Sequence, residues 1–284
     1  MVRFSIVRQL LLISLLLCGL ARFAHAESYS FGVLNQRSAT LTAQYWNPIL
    51  DYVSKKASVT LAMQMGKDIQ ETYAMTGRGE FDFLYSNHIF TADNAKAGYK
   101  VILRPNEDAI QGQIVVPEES PLHALSELKG KEIGFPSAAA FVAYALPMDH
   151  LVRSGIEVAP VFGGNQEGIM AQLKAGRIVA AAVNSRVMRD YANRTGFKYR
   201  VLWTSPDFLN LPVAAHPRVP PQVVERIRQI MDKMDEDTES LAVLKASADI
   251  IRQSPPYGFR LSSDREYANY RSFYKGTVLK ELKP

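Results

Sequence analysis

The chain has 284 residues, a formal net charge of +5 and a single cysteine. It is long enough to bury a large core, and one thiol excludes a disulfide framework or a thiolate metal centre. The modest charge, without a dense Lys/Arg run or basic stripe, excludes the electrostatic footprint of a nucleic-acid binder.

The N-terminus reads as a secretory signal. Arg3 and Arg8 precede the apolar run Leu10 to Leu17, and Ala24-His25-Ala26 forms a cleavage pattern ahead of Glu27. The run is too short for a membrane span. Leu17 stands before Cys18, where a lipoprotein signal would carry a small residue. Cleavage after Ala26 removes the cysteine and Arg3, Arg8 and Arg22, so +5 falls to about +2. The expectation is a soluble, periplasmic protein beginning at Glu27.

In chain order, Tyr29 to Leu34 reads as a strand, and Asn35-Gln36-Arg37-Ser38 as a polar loop. Thr40 to Lys56 has a helical period through Leu41, Trp46, Ile49, Leu50 and Val53. Pro48 fits that helix only near its first turn. Val59 to Met65 is a second strand, and Asp68 to Thr76 a helix stopped by Gly77-Arg78-Gly79. Phe81 to Leu84 is an apolar strand that empties into Tyr85-Ser86-Asn87-His88. Strands follow at Val101 to Arg104 and Gln113 to Val116, then the loop Pro117 to Pro121.

The grammar then restarts. Strands are expected at Glu132 to Phe135, Val158 to Phe162, Arg177 to Val183 and Tyr199 to Thr204. Helices intervene at Leu122 to Leu128, Ala139 to Ser154, Gln166 to Ala175 and Met188 to Thr195. Ser205-Pro206 is a second crossing point, Leu211 to His216 a returning strand, and Pro220 to Asp235 and Glu239 to Ala248 helices. The aromatic-rich tail, with Tyr257, Phe259, Tyr267, Tyr270, Phe273 and Tyr274, is expected to pack outside the first unit.

This alternation predicts an α/β protein of two units, each a mostly parallel sheet flanked by helices and joined by two crossing strands. The expected division is a signal peptide over 1–26, a first lobe over 27–116, a second over 117–204, and the rest of the first over 205–284. Ligands of such sheets lie at strand ends and helix starts, in the crevice between units.

No HExxH, P-loop, GxGxxG or GxSxG pattern is present, so neither a metal, a cofactor nor an enzyme activity is expected. What remains is polar. Arg37 is a possible clamp on a carboxylate or oxyanion, set against a solvated loop arginine. Tyr85, Ser86 and Asn87 follow a buried strand and need partners if enclosed. Ser137 looks like a helix cap, and Asn165, Gln166 and Asn184 stand at later helix starts or strand ends. His88 and Trp46 read better as structural.

The chain resembles the phosphate/phosphite/phosphonate-binding periplasmic proteins of ABC importers, a type II periplasmic binding fold. The resemblance lies in YWNPILDYVS, GRGEFDFLYS, LSELKGKEIGFP, LPMDHLVRSGIEVAPVF and VLWTSPDFLNLPVAAHP, in that order. It implies two lobes that close by a hinge, near Val116 and Ser205, on a small and possibly anionic ligand and dock on a membrane permease, with a monomer expected. The family's Ser-Thr-Ser-Gly run aligns with Ala140 to Ala143, its histidine with Gln166 and its acid with Val179, while Tyr85 is kept. The hydroxyls being gone, phosphonate is not the expected ligand. The alternative is an exported ligand-sensing accessory protein for a membrane receptor or histidine kinase, since the NQRS loop somewhat resembles the first loop of sensor-kinase input domains built on this fold.

Overall fold

The computed structural model describes residues 27–282; the expected signal peptide and Cys18 lie outside them. Two sheets form the frame. The first contains β1 (Ser28–Val33), β2 (Thr60–Gln64), β3 (Phe83–Tyr85) and β4 (Lys100–Pro105). It is completed by β10 (Val213–Ala215) and β11 (Phe259–Leu261), in the order β11-β4-β10-β3-β1-β2. The second contains β5 (Gly112–Pro117), β6 (Glu132–Phe135), β7 (Ala159–Phe162), β8 (Ala180–Asn184) and β9 (Tyr199–Thr204), in the order β7-β6-β8-β5-β9. β1 pairs in parallel with β2 and β3, and β6 with β7 and β8. The returning strand β10 and the entering strand β5 run antiparallel to their neighbours.

The main helices are α1 (Ala39–Ala57), α2 (Ile69–Gly77), α3 (Leu146–Arg153), α4 (Gln166–Lys174) and α5 (Ser185–Thr195). They are followed by α6 (Pro221–Asp232), α7 (Thr238–Ile251) and α8 (Ala268–Gly276). Ser38 caps α1 by accepting from the Leu41 amide. Pro48 therefore sits well inside the helix rather than in its first turn. The lost backbone bond is offset by burial of Trp46, Ile49, Leu50 and Val53 along one face.

β5 hydrogen-bonds on both sides within the second sheet. The chain thus leaves the first sheet between Pro105 and Gly112, earlier than the 117–121 loop expected from sequence. Val116 lies within the second sheet, paired with Arg200 of β9, and is not a crossing point. The two crossings meet at a single antiparallel bridge, Ile110 to Phe208, with N–H···O distances of 2.7 and 2.9 Å. Gly112 follows immediately. A Cβ there would stand 2.1 Å from the Val142 carbonyl oxygen, so the backbone can pass this close only without a side chain.

The aromatic tail does not pack outside. Tyr267, Tyr270, Tyr274 and Phe259 are 0–5% exposed and belong to the first core. The last described segment reaches the other unit instead: Leu279 joins the second core. The Thr277 hydroxyl and the Val278 amide donate to Asp149 Oδ1 at 2.7 and 2.8 Å. No described helix is long and apolar enough to cross a membrane.

Candidate functional site

The first site wall is built at the end of β3. Phe83, Leu84 and Tyr85 are all buried between β1 and β10. The chain then turns: the Ser86 amide donates to the Pro212 carbonyl at 3.2 Å, and Ser86 Oγ accepts from the His88 amide at 3.1 Å. Ser86 is thus committed to its own turn. Tyr85 packs on Trp46 at 4.8 Å between ring centroids, so Trp46 is both core and wall. Asn87 is buried, and its Oδ1 has no hydrogen-bond partner.

The facing wall begins after β6. Ser137 Oγ accepts from the Ala139 amide and from Gln70 Nε2, each at 3.2 Å, so it caps its turn and ties the two lobes. Asn165 Oδ1 caps α4 by accepting from the Gly168 amide at 2.8 Å. Gln166 Oε1 accepts from the Asn184 amide at 3.1 Å. Asn184 Oδ1 caps α5, accepting from Arg186 and Val187, while its Nδ2 has no partner.

Between Ser137 and α3 the chain makes one π turn, Phe141–Ala145, a local irregularity common at functional positions. This is where the resembled family places hydroxyls. Here Phe141 crosses into the first lobe and stacks among Phe208, Tyr270, Phe273 and Tyr274, with centroids 4.3–5.5 Å away. Phe141 and Val142 count among the first lobe's core residues although they come from the second. The space left beside them, lined by Asn87, Gln166 and Asn184, is a cavity of about 20 Å³, room for about one water molecule. Val179, aligned with the family's acid, is 44% exposed and lines neither this cavity nor the next.

The charged part of the cleft adjoins it through Leu34 and Gln36, which line both cavities. Arg37, from the loop after β1, donates from Nη2 to Asp190 Oδ2 at 2.9 Å. Asp190 belongs to α5 of the other lobe. One turn earlier on α5, Arg186 Nη1 stands 3.1 Å from Glu107 Oε2, in the first crossing segment. Its Nη2 donates to the Ser254 carbonyl at 2.8 Å. Asn210, in the second crossing segment, donates to Glu107 Oε1 at 2.7 Å. Arg186, Glu107 and Asp190 have side chains 2–7% exposed. Arg37 Nε nonetheless has no hydrogen-bond partner, and Arg186 Nε and Asp190 Oδ1 form only a long ion pair with each other, 3.8 Å apart. Burial pushes the Glu107 and Asp190 carboxyls upward, against the pull of both guanidiniums. Tyr45, Trp46 and Tyr85 complete a cavity of about 40 Å³.

The structure thus brings Arg37 and Tyr85 into one cavity and Asn87, Gln166 and Asn184 into its neighbour. Ser86, Ser137 and Asn165 line neither. Glu107, Arg186, Asp190 and Asn210 were not anticipated. A helix expected to start at Met188 left Arg186 in a loop. Yet opposite charges four residues apart just after an apolar strand that ends in Asn184 are a legible sign of a charged helix start at the crevice. A wider cavity of about 310 Å³, between Tyr73, Ala139 and Tyr274, has no Lys or Arg in its lining.

His88 seals the seam between the lobes. Its Nε2 lies 3.2 Å from the Ala139 carbonyl, so that nitrogen carries the proton, and Nδ1 has no partner. Burial pushes the imidazole down to about 4 from 6.5. The fold therefore favours neutral His88. Its contribution is intact above pH 6.5 and is lost as pH falls from 6.5 towards 4. Unfolding free energy is expected to drop by about 2–3 kcal/mol over that window, and His88→Gln is expected to flatten the slope. A denaturant midpoint with equal pH dependence in both proteins would refute this.

Two lobes, each with a mixed sheet flanked by helices, and polar side chains meeting between them define a two-lobed binding protein. A family model described as "ABC transporter, phosphonate, periplasmic substrate-binding protein" matches residues 31–267. The chain belongs to that family. Among solved structures, it is similar to a binding protein component of an ABC phosphonate transporter from Pseudomonas aeruginosa. That pair has a TM-score of 0.76 and 13% identity, covering 87% of this chain and 85% of the other. It is also similar to PhnD1 from Prochlorococcus marinus in complex with methylphosphonate, with a TM-score of 0.73 and 14% identity over 88% and 97% of the two chains. A Xanthomonas citri protein bound to chloride gives 0.68 and 17% over 87% and 95%. At these identities the likeness is one of fold, the type II periplasmic binding fold. A search of curated proteins finds no matching sequence. Membership of the family implies a small-molecule ligand and a permease partner.

Proposed function

We propose that the chain is exported, loses residues 1–26, and serves an ABC importer as a monomeric, non-enzymatic solute-binding protein. Its ligand lies between the lobes, and phosphonate is not that ligand. The observation that carries this reading is the buried cluster of Arg37, Glu107, Arg186 and Asp190. Both lobes and the crossing segment contribute to it, and it faces a cavity walled by Tyr45, Trp46 and Tyr85. Buried charges tend to cost stability, so polar atoms left there without a hydrogen bond point to a ligand. The exclusion of phosphonate rests on Phe141 and Val142, which place rings and methyl groups where a tetrahedral oxyanion needs donors.

The test is thermal unfolding of protein stripped of bound ligand, against a broad metabolite library. A true ligand at 100 times its Kd stabilises by about 2.7 kcal/mol, a rise of roughly 5–10 °C for a chain of this size. Phosphate and methylphosphonate are expected to give no shift. A silent library, or a clear methylphosphonate shift, would overturn the corresponding half of the proposal.

A further inference from the structure

Given the solute-binding reading, on which this rests, we infer that the ligand is a small zwitterion, a molecule carrying a carboxylate and an ammonium group a few bonds apart. The cleft presents two guanidiniums, Arg37 and Arg186, and two carboxylates, Glu107 and Asp190, to one cavity. Its formal charge sums to zero. A lone anion placed there would face Glu107 and Asp190 as well as the arginines. A lone cation would face Arg37 and Arg186. Neither gains much from a neutral set, whereas a dipolar molecule can set each of its charges against the opposite one.

The atoms without a hydrogen bond match that dipole. Arg37 Nε is a spare donor suited to a carboxylate, while Arg186 Nε and Asp190 Oδ1 face each other at 3.8 Å, an ion pair too long for a hydrogen bond that leaves the one able to donate to a carboxylate and the other to accept from an ammonium. Arg186 is 5% and Asp190 1% exposed, so solvent does not satisfy them. The Arg37–Asp190 contact, 2.9 Å long, already joins a cation of one lobe to an anion of the other. A zwitterion inserted there bridges the same two charges from inside: its carboxylate takes the guanidinium and its ammonium takes the aspartate. It thereby couples occupancy to lobe closure. Trp46 and Tyr85 offer flat apolar surface to its carbon atoms. The cavity of about 40 Å³ holds only about three waters, so the ligand is small even after that ion pair separates.

The experiment uses the full chain, stripped of ligand, in calorimetric titrations with glycine, alanine, β-alanine, proline and trimethylglycine. Acetate, methylphosphonate and methylammonium serve as single-charge controls of similar size. At least one dipolar probe is expected to bind, with each control at least 100-fold weaker. Asp190→Asn is expected to weaken the dipolar probe roughly 10- to 100-fold and to narrow its advantage over acetate. Asp190→Glu is expected to restore part of the loss. If Asp190→Asn does not fold, Arg37→Lys supplies the same comparison from the carboxylate end. Binding of acetate, methylphosphonate or an uncharged library solute more tightly than every dipolar probe overturns this inference and leaves the solute-binding reading standing. Binding of none of these probes together with a hit elsewhere in the metabolite library overturns this inference alone, and a silent library as well overturns both.

Discussion

Replacing Phe141 by alanine is expected to lower the unfolding free energy by about 3–5 kcal/mol, the range for deleting a fully enclosed aromatic ring. The ring is 3% exposed and meets four aromatic rings of the first lobe, although its backbone belongs to the second. Its loss therefore removes core packing and unfastens the seam between the lobes. Phe141→Leu, which keeps most of the apolar volume, is expected to recover part of the deficit. Denaturant unfolding of the two variants measures this directly. A loss below about 1 kcal/mol for alanine would mean that the ring does not hold the lobes together. The same variant opens space beside Val142, where the family carries hydroxyls. Methylphosphonate is still expected not to bind, because space is restored without donors.

Glu107→Ala is expected to cost about 3–5 kcal/mol as well, for a different reason: it leaves Arg186 buried with its main carboxylate partner gone. Adding Arg186→Met to that variant is expected to recover much of the loss, because the uncompensated charge leaves too. A double-mutant cycle by urea unfolding separates the pair from its surroundings. A double variant no more stable than Glu107→Ala would argue against an uncompensated charge as the cause. The carboxyl shifts agree in sign. A carboxyl pushed above its ordinary value favours the fold while protonated, and that contribution is lost as pH rises through the folded value. The ionised cluster is thus not a device for stability, which strengthens its assignment to ligand recognition. The neutral pairing Gln70–Ser137 and the aromatic seam carry the attachment of the lobes instead.

Much of the frame was legible in the residues. Apolar runs of four to six residues between helical periods gave the strands of both sheets, and Ser38, Asp68, Asn165 and Asn184 stood where helix starts need acceptors. The family followed from motif order. Less legible were the places where a local pattern is ambiguous. QIVV reads as a strand in either sheet, and only its pairing with β8 and β9 puts it in the second. The tail's aromatic spacing suggested surface packing, yet Tyr267 and Tyr270 are fully buried, because Phe90, Phe141 and Phe208 gather around them. Of the polar candidates, Ser86 and Asn165 accept bonds within their own turns and Ser137 does so while also accepting from Gln70 of the other lobe, which a polar residue after an apolar strand cannot reveal by itself.

The sequence by itself determined the alternation of strands and helices, the turn chemistry that stops them and the absence of hydroxyls from Ala140 to Ala143, because these rest on near neighbours. The tertiary structure alone decided that Phe141 crosses into the aromatic core of the first lobe and that Arg37 meets Asp190 across the cleft. Contacts between residues 153 positions apart depend on how two lobes are set against each other. The charges themselves carry no mark of which partner they will find.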